Sequence, residues 1–136
     1  MESWSRYTPQ MLSILRIMAA LLFMEHGLMK LFHFPAPQPG VSDPLPTMLM
    51  IAAWIEVVGG VLLTIGLFTR PVAFICAGEM AVAYFIGHAS QGFWPALNMG
   101  DAAILFCFVF LYLAVAGGGA WSVDAMRTRR PVGDQV

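Results

Sequence analysis

Apolar residues gather along this chain in long blocks, with polar ones concentrated between them. Four segments, roughly 11–32, 47–68, 71–90 and 99–116, carry few charges. Each approaches or reaches the ~17–25 residues with which a helix crosses a bilayer. The stretch FHFPAPQPGVSDPLP joins the first two, and its prolines exclude helix in favour of extended or turn structure. Thr47 opens the second segment. The link TRP (69–71) permits only a tight reversal, with Pro71 suited to a first helical turn. QGFWPALN precedes the fourth segment and offers Phe93 and Trp94 as interface anchors. Asn98 and Asp101 have capping-box spacing at the start of that segment. After AGGGAWS, a short amphipathic stretch beginning at Trp121 fits the membrane surface. The pattern predicts an all-α membrane protein, with four transmembrane helices in an antiparallel up-down bundle over 1–125 and a polar cytoplasmic tail at 126–136.

Composition strengthens this picture. The chain has 136 residues, enough for one domain, and is 59% hydrophobic but only 11% charged. Soluble domains carry about 25% charged residues. So short a chain cannot hide that much apolar surface in a core, so lipid is the expected solvent. A net charge of −1 with scattered basic residues gives no footprint for nucleic acid. Arg16, Glu25 and Lys30 interrupt the first segment and no small-residue cleavage site follows it, which speaks against a cleaved signal peptide. With four spans, Arg6, Arg16, Arg70, Arg127, Arg129 and Arg130 fall on one side and Lys30 toward the other. The positive-inside rule then predicts both termini in the cytoplasm.

The polar residues inside the spans raise the question of function. At ~1.5 Å rise per residue, Arg16 lies about 7 Å from the cytoplasmic end and can snorkel there. Glu56 and Glu79 fall near the midplane, within about 5 Å of the same depth. Glu25, His26, Lys30, His88 and Asp101 fall in the outer third, making a second polar layer. Ala52, Glu56, Gly59 and Gly60 share one side of the second helix, and Glu79, Ala83 and Gly87 one side of the third. Such small-residue stripes let membrane helices approach closely, so both acids are expected to point inward. His26, Lys30 and His33 follow one stripe on the first helix; Tyr84, His88 and Gln91 follow another on the third.

A central charge costs about 2.5–3.5 kcal/mol on insertion scales, so two bare carboxylates would cost about 5–7 kcal/mol. One acid can be neutralised, the pair can share a proton, or Arg16, Lys30 or His26 can reach them. The residues leave these routes open. Glu56 and Glu79 are candidates for a proton relay or ligand anchor, against a structural role as hydrogen-bonded acids between helices. The outer cluster Glu25, His26, Lys30, His88 and Asp101 is a candidate site for an anionic or quinone-like head group, against plain contact with water and lipid phosphate. The capping role alone accounts for Asp101.

Other chemistries find less support. His26 and His88 are weak candidates for haem ligation. Paired Glu-x-x-His motifs for a di-iron site are missing. Cys76 and Cys107 differ by about 10 Å in depth, too far for a disulfide, so packing roles are expected. There is no C-x-x-C, phosphate loop, zinc signature or serine triad.

EHGLMKLF, EVVGGVLLTIGLFTRPVAF and GEMAVAYFIGHASQGFWPALNMGDAAILFCFVFLYLA, with GGGAWSVD beyond, resemble the DoxX family over roughly residues 11–125. The resemblance implies a small four-helix protein of the bacterial inner membrane. It also implies association with membrane redox systems such as thiosulfate:quinone oxidoreduction, although many relatives have no assigned reaction. His26, Gly27 and Lys30 match the family's first motif. Glu56, Gly59, Gly60, Thr69 and Arg70 match the central one, and Glu79, His88 and Asn98 the third. Asp101 stands where relatives often have Glu. The wider group includes vitamin K epoxide reductase, but this chain lacks that enzyme's paired cysteines, so thiol–quinone chemistry does not carry over.

The expected function is a component of a quinone-linked redox system, holding a lipophilic ligand in the helix bundle, with a redox protein as partner and no cofactor identified beyond a possible quinone. In that role Gly59, Gly60, Arg70 and Asn98 are structural. A proton-coupled transporter or channel, which would favour a homo-oligomer, and a non-catalytic scaffold for a partner complex are the alternatives.

Overall fold

The computed structural model describes residues 2–128, and side chains from Trp4 onward. Arg129, Arg130 and nearly all of the expected polar tail lie outside the described residues. Every regular element among the described residues is helical. A short α1 (Glu2–Ser5) precedes α2 (Thr8–Phe32) and α3 (Thr47–Ile65). The next helix, α4 (Thr69–Ala83), continues through a π-helical turn, Tyr84–His88, and a 3₁₀ turn, Ala89–Gln91. Then come α5 (Pro95–Asn98), α6 (Asp101–Ala116) and α7 (Val123–Thr128).

Helices α2, α3 and α4 with its continuation to Gln91 are long and apolar enough to cross a membrane. The fourth apolar helix, α6, has 16 residues. At 1.5 Å per residue it reaches about 24 Å, short of the ~30 Å hydrocarbon layer. Its expected start at 99 moves to Asp101 because Met99 is left-handed (φ 59°) and Gly100 stands at the N-cap. Asn98 does not cap α6: its Oδ1 accepts from the Gly100 N–H at 2.9 Å, an Asx turn before the helix, and Asp101 makes no capping bond. The second span stops at Ile65 rather than 68, where Gly66 adopts φ 71° and satisfies the carbonyls of Leu62 and Leu63.

Packing runs in two pairs, α2 on α3 and α4 on α6, joined through α3–α4 and a lighter α2–α6 contact. The buried positions of α2 are Ser13, Arg16, Ala20, Phe23, Gly27 and Lys30, with Ala19 alongside. Their alternating steps of three and four form a straight seam. Glycines set the helix spacing. A Cβ on Gly60 would stand 2.5 Å from the Cβ of Met24 on α2, and one on Gly59 2.6 Å from Sγ of Cys76 on α4. Helix α3 is thus wedged between two neighbours where only glycine fits. Ala53 is buried against Gly27 of α2, whereas half-buried Ala52 shares with Glu56 the side that borders the cavity described below. Outward positions such as Leu22, Trp54, Val58, Phe74 and Phe108 are exposed, so the outside is as apolar as the core, as lipid requires.

The end of the molecule that holds the α3–α4 turn is tied shut. Arg16 is fully buried and does not snorkel. Its Nη1 donates to the carbonyls of Leu63 (2.7 Å) and Thr64 (3.1 Å), and its Nη2 to that of Trp121 (2.6 Å). It therefore caps the C-terminus of α3, where dipole and orphan carbonyls both favour a cation. The segment after α6 folds back across this end rather than lying free on the surface. The N–H groups of Ala120 and Trp121 donate to Pro9 O and Ser13 Oγ at 3.0 and 2.9 Å. Asp124 accepts from the N–H groups of Phe68 (2.9 Å) and Thr69 (2.8 Å), capping α4 and holding Phe68 in a left-handed conformation (φ 51°). Partial burial pushes the Asp124 carboxyl upward, but these hydrogen bonds outweigh it and hold its pKa below the ordinary aspartate value. Arg70 Nη1 donates to Val115 O at 2.6 Å, tying the start of α4 to the end of α6.

Candidate functional site

The opposite end is hollow. Above the closely packed rings of Phe23 and Phe110 (centroids 4.9 Å apart), α2, α3, α4 and α6 enclose a cleft of about 670 Å³. That volume suits a drug-sized ligand. Its walls are mostly apolar, with His26 and Lys30 from α2, Glu56 from α3, Glu79 from α4 and His88 from the π turn as the ionisable groups. The loop carrying Gln38 closes part of the mouth.

Lys30 and Glu56 form one unit. Nζ lies 2.5 and 2.6 Å from the two carboxylate oxygens, and both side chains are almost fully buried. The two expected polar layers are therefore bridged: Lys30 starts higher on α2, and its four-carbon stem carries the ammonium down to the level of Glu56. Of the routes for neutralising the midplane acids, a basic partner from above serves Glu56. Glu79 is different. It borders the same cleft, but its Oε2 is buried without a hydrogen-bond partner.

The histidines are oriented by carbonyls. His26 Nδ1 lies 2.9 Å from Leu22 O, and its ring stands edge-on to Phe106 at 6.1 Å. His88 Nδ1 lies 3.0 Å from Asn98 O. A carbonyl only accepts, so Nδ1 carries the proton in each ring and Nε2 remains for other partners. Asn98 in turn is buried and held by its Nδ2 donating to Gly92 O at 2.8 Å.

The π turn explains why the site departs from straight helical phase. Its i→i+5 bond, Ala89 N–H to Tyr84 O, inserts extra rotation. Glu79, Ala83, Gly87, His88 and Gln91 consequently all face the cleft, whereas Tyr84 packs on the core beside Gly100. Two residues of the expected outer cluster are elsewhere: Glu25 and Asp101 are exposed and line no part of the cleft. A neighbour in sequence is turned about 100° around a helix, which swings Glu25 away from the face of His26. His33 is exposed too, 4.0 Å from Asp43 in the loop. Gln38 and Phe106 complete the walls without having been singled out in the sequence; a loop glutamine and a core phenylalanine carry no periodic signal. Among the described residues no group of three or more His, Cys, Asp or Glu is placed to hold a metal ion.

The sequence profile of the DoxX family matches residues 11–89. The chain belongs to the DoxX family. The match spans α2, α3, α4 and the π turn, and so includes all five ionisable residues of the cleft. A protein of Haemophilus influenzae, itself uncharacterized, is 44% identical over 91% of this chain and 96% of its own length. The inner membrane protein YphA of Escherichia coli is 29% identical over 85% of this chain and 89% of its own. The uncharacterized membrane protein Rv3486 of Mycobacterium tuberculosis is 24% identical over 94% and 90% respectively. No solved structure gives a significant match. This DoxX chain is thus a membrane protein among membrane proteins, and its chemistry must be read from the cleft.

Proposed function

We propose that this DoxX protein binds a lipophilic, quinone-like ligand in its cleft and serves a membrane redox system as the component that holds it. In this reading α6 completes an antiparallel four-helix bundle in the bacterial inner membrane, with both termini cytoplasmic and the cleft toward the opposite face. Arg6, Arg70 and Arg127 still gather at the turn end, which supports that orientation. One observation carries the functional reading: an apolar cavity of about 670 Å³ holds a cluster of ionisable groups, one of which, Glu79, keeps a buried oxygen without a partner. An empty site of that kind is costly, and a ligand head group lowers the cost.

A conduit for protons or solutes fits less well. Below the cleft Phe23, Leu63, Phe110, Leu113 and the Arg16 cap are fully buried, a packed layer across the direction such a path would take. The test is extraction of protein purified into nanodiscs from native membranes, followed by mass spectrometry. A near-stoichiometric quinone is expected, and it should be lost in Gly78→Phe. Gly78 borders the cleft and a Cβ there meets no atom within 4 Å, so a ring at this position has room to obstruct the cleft without a clash at its Cβ. Wild-type protein free of bound lipophile, and unable to take up added quinone, overturns the reading.

A further inference from the structure

The polar groups of the cleft are unbalanced between donors and acceptors. Lys30 spends two of its three protons on Glu56. His26 and His88 spend their Nδ1 protons on carbonyls, which leaves each neutral ring with an accepting Nε2. Gln91 Nε2 donates to Gly87 O at 2.7 Å, so its Oε1 remains. The buried oxygens Glu79 Oε2 and Gln38 Oε1 have no partner at all. A carboxyl keeps an accepting oxygen in either protonation state, although an amide such as Gln38 can turn to present its NH₂ instead. Apart from that amide, the side-chain donors left over are the third proton of Lys30, the second N–H of Gln91 and, in a protonated Glu79, its O–H. The site offers more acceptors than donors.

The cleft also has a direction. Gly59 and Cys76 bring α3 and α4 into contact, and beyond that point the facing residues separate. Ile51 on α3, Val82 on α4 and Ile86 on the π turn line the cleft while remaining exposed on the outer surface. Gly78 and Gly87 on the same wall have nothing within 4 Å of a would-be Cβ. The gap between α3 and α4 is therefore a lateral slot with apolar lips, facing the lipid, and it leads inward to Glu79.

We propose that the cleft selects lipophilic molecules whose head group donates hydrogen bonds, a phenol or comparable hydroxyl, with the head against Glu79 and the histidine rings and the tail leaving through the α3–α4 slot. This rests on the ligand-binding reading above and adds its selectivity. In a quinone couple the favoured form is the reduced, dihydroxy one, because the oxidised form only accepts. A buried acceptor left unmatched forfeits enough free energy for a preference of about tenfold or more.

The test uses para-nonylphenol and its methyl ether, which share ring and tail and differ in the hydroxyl proton. Binding to the protein in nanodiscs is measured against empty nanodiscs to remove partitioning into lipid. The phenol should bind at least about tenfold more tightly. In Glu79→Leu that advantage should largely vanish while the affinity for the ether is unchanged. Equal binding of both compounds to wild-type protein overturns the donor selectivity and leaves the ligand reading standing. Binding of neither overturns both, and a ratio unaltered by Glu79→Leu removes Glu79 from the site.

Discussion

The two ends of this molecule treat buried polar groups in opposite ways. At the turn end, Arg16 and Asp124 each close a helix terminus, and the guanidinium's two terminal nitrogens and both carboxylate oxygens bond to backbone. At the cleft end, Lys30 and Glu56 satisfy each other, and Glu79 is left with an unpartnered oxygen inside a cavity. The first arrangement closes structure around charge. The second keeps charge next to empty space. Burial alone therefore does not mark a functional group, and neither does one unmatched atom, since Arg16 Nε is buried without a partner as well; what marks Glu79 is an unpartnered oxygen on a side chain that borders a cavity.

The contrast is broken most severely by separating the ion pair. Lys30→Met leaves the Glu56 carboxylate buried and alone, at an expected cost of about 3–5 kcal/mol in thermal or denaturant unfolding in detergent. The double variant Lys30→Met/Glu56→Leu should regain most of that loss, since an apolar pair of similar volume is often neutral. If the double variant stays as unstable as the single one, the pair does more than neutralise itself. Arg16→Met comes next, with an expected loss of about 3 kcal/mol, because the carbonyls of Leu63, Thr64 and Trp121 lose a charged donor together. Ligand binding at the far end should be unchanged wherever the protein remains folded.

These two cations also show what sequence can and cannot reveal. The long apolar segments, the start of a helix at Thr47, a tight reversal between the second and third spans (expected at 69–71, found at 66–68) and the crowding at Gly59 and Gly60 follow from patterns that act over a few residues, and they are visible in the chain. The destinations of Arg16 and Lys30 are not. Depth counted along a helix locates the Cα, whereas a long basic side chain shifts its charge by a further turn in either direction. Arg16 went sideways to the end of α3 and Lys30 down to Glu56. The π turn hid the rest: one altered hydrogen-bond step merged two helical stripes into the wall of the cleft, and a periodic reading assumes that no such step occurs. Glu25 shares the depth of His26 but not its face, because adjacent residues on a helix point about 100° apart.

A smaller effect is expected at the other member of the closed end. Asp124→Ala removes the cap of α4 and should cost about 1 kcal/mol at neutral pH. Its dependence on pH has a definite sign. The folded-state pKa lies below the unfolded one, so the contribution is fully present above the ordinary aspartate range, near pH 4. It is lost as pH falls through the lower, folded value. The melting temperatures of wild type and Asp124→Ala should therefore differ from pH 5 to pH 8 and converge toward pH 2–3. A gap that persists in strong acid would show that the carboxylate is not the source.

The smallest change in stability, and the most informative, is expected at Glu79. If this acid were a brace like Glu56, replacing it would cost several kcal/mol. Its geometry says otherwise: Oε2 has no partner to lose, and the side chain borders a cavity that can admit a leucine. Removing an unsatisfied buried polar group relieves a desolvation cost, so ligand-free Glu79→Leu should be as stable as wild type or more stable by up to about 1 kcal/mol. Proteins keep such a group when activity depends on it, and the gain in stability should come with a loss of ligand. Unfolding of the variant in detergent after exhaustive delipidation separates the two cases. A melting temperature at or above that of wild type, with weakened phenol binding, assigns Glu79 to recognition. A drop comparable to that of Lys30→Met would make it a structural acid and erase the difference between the two ends.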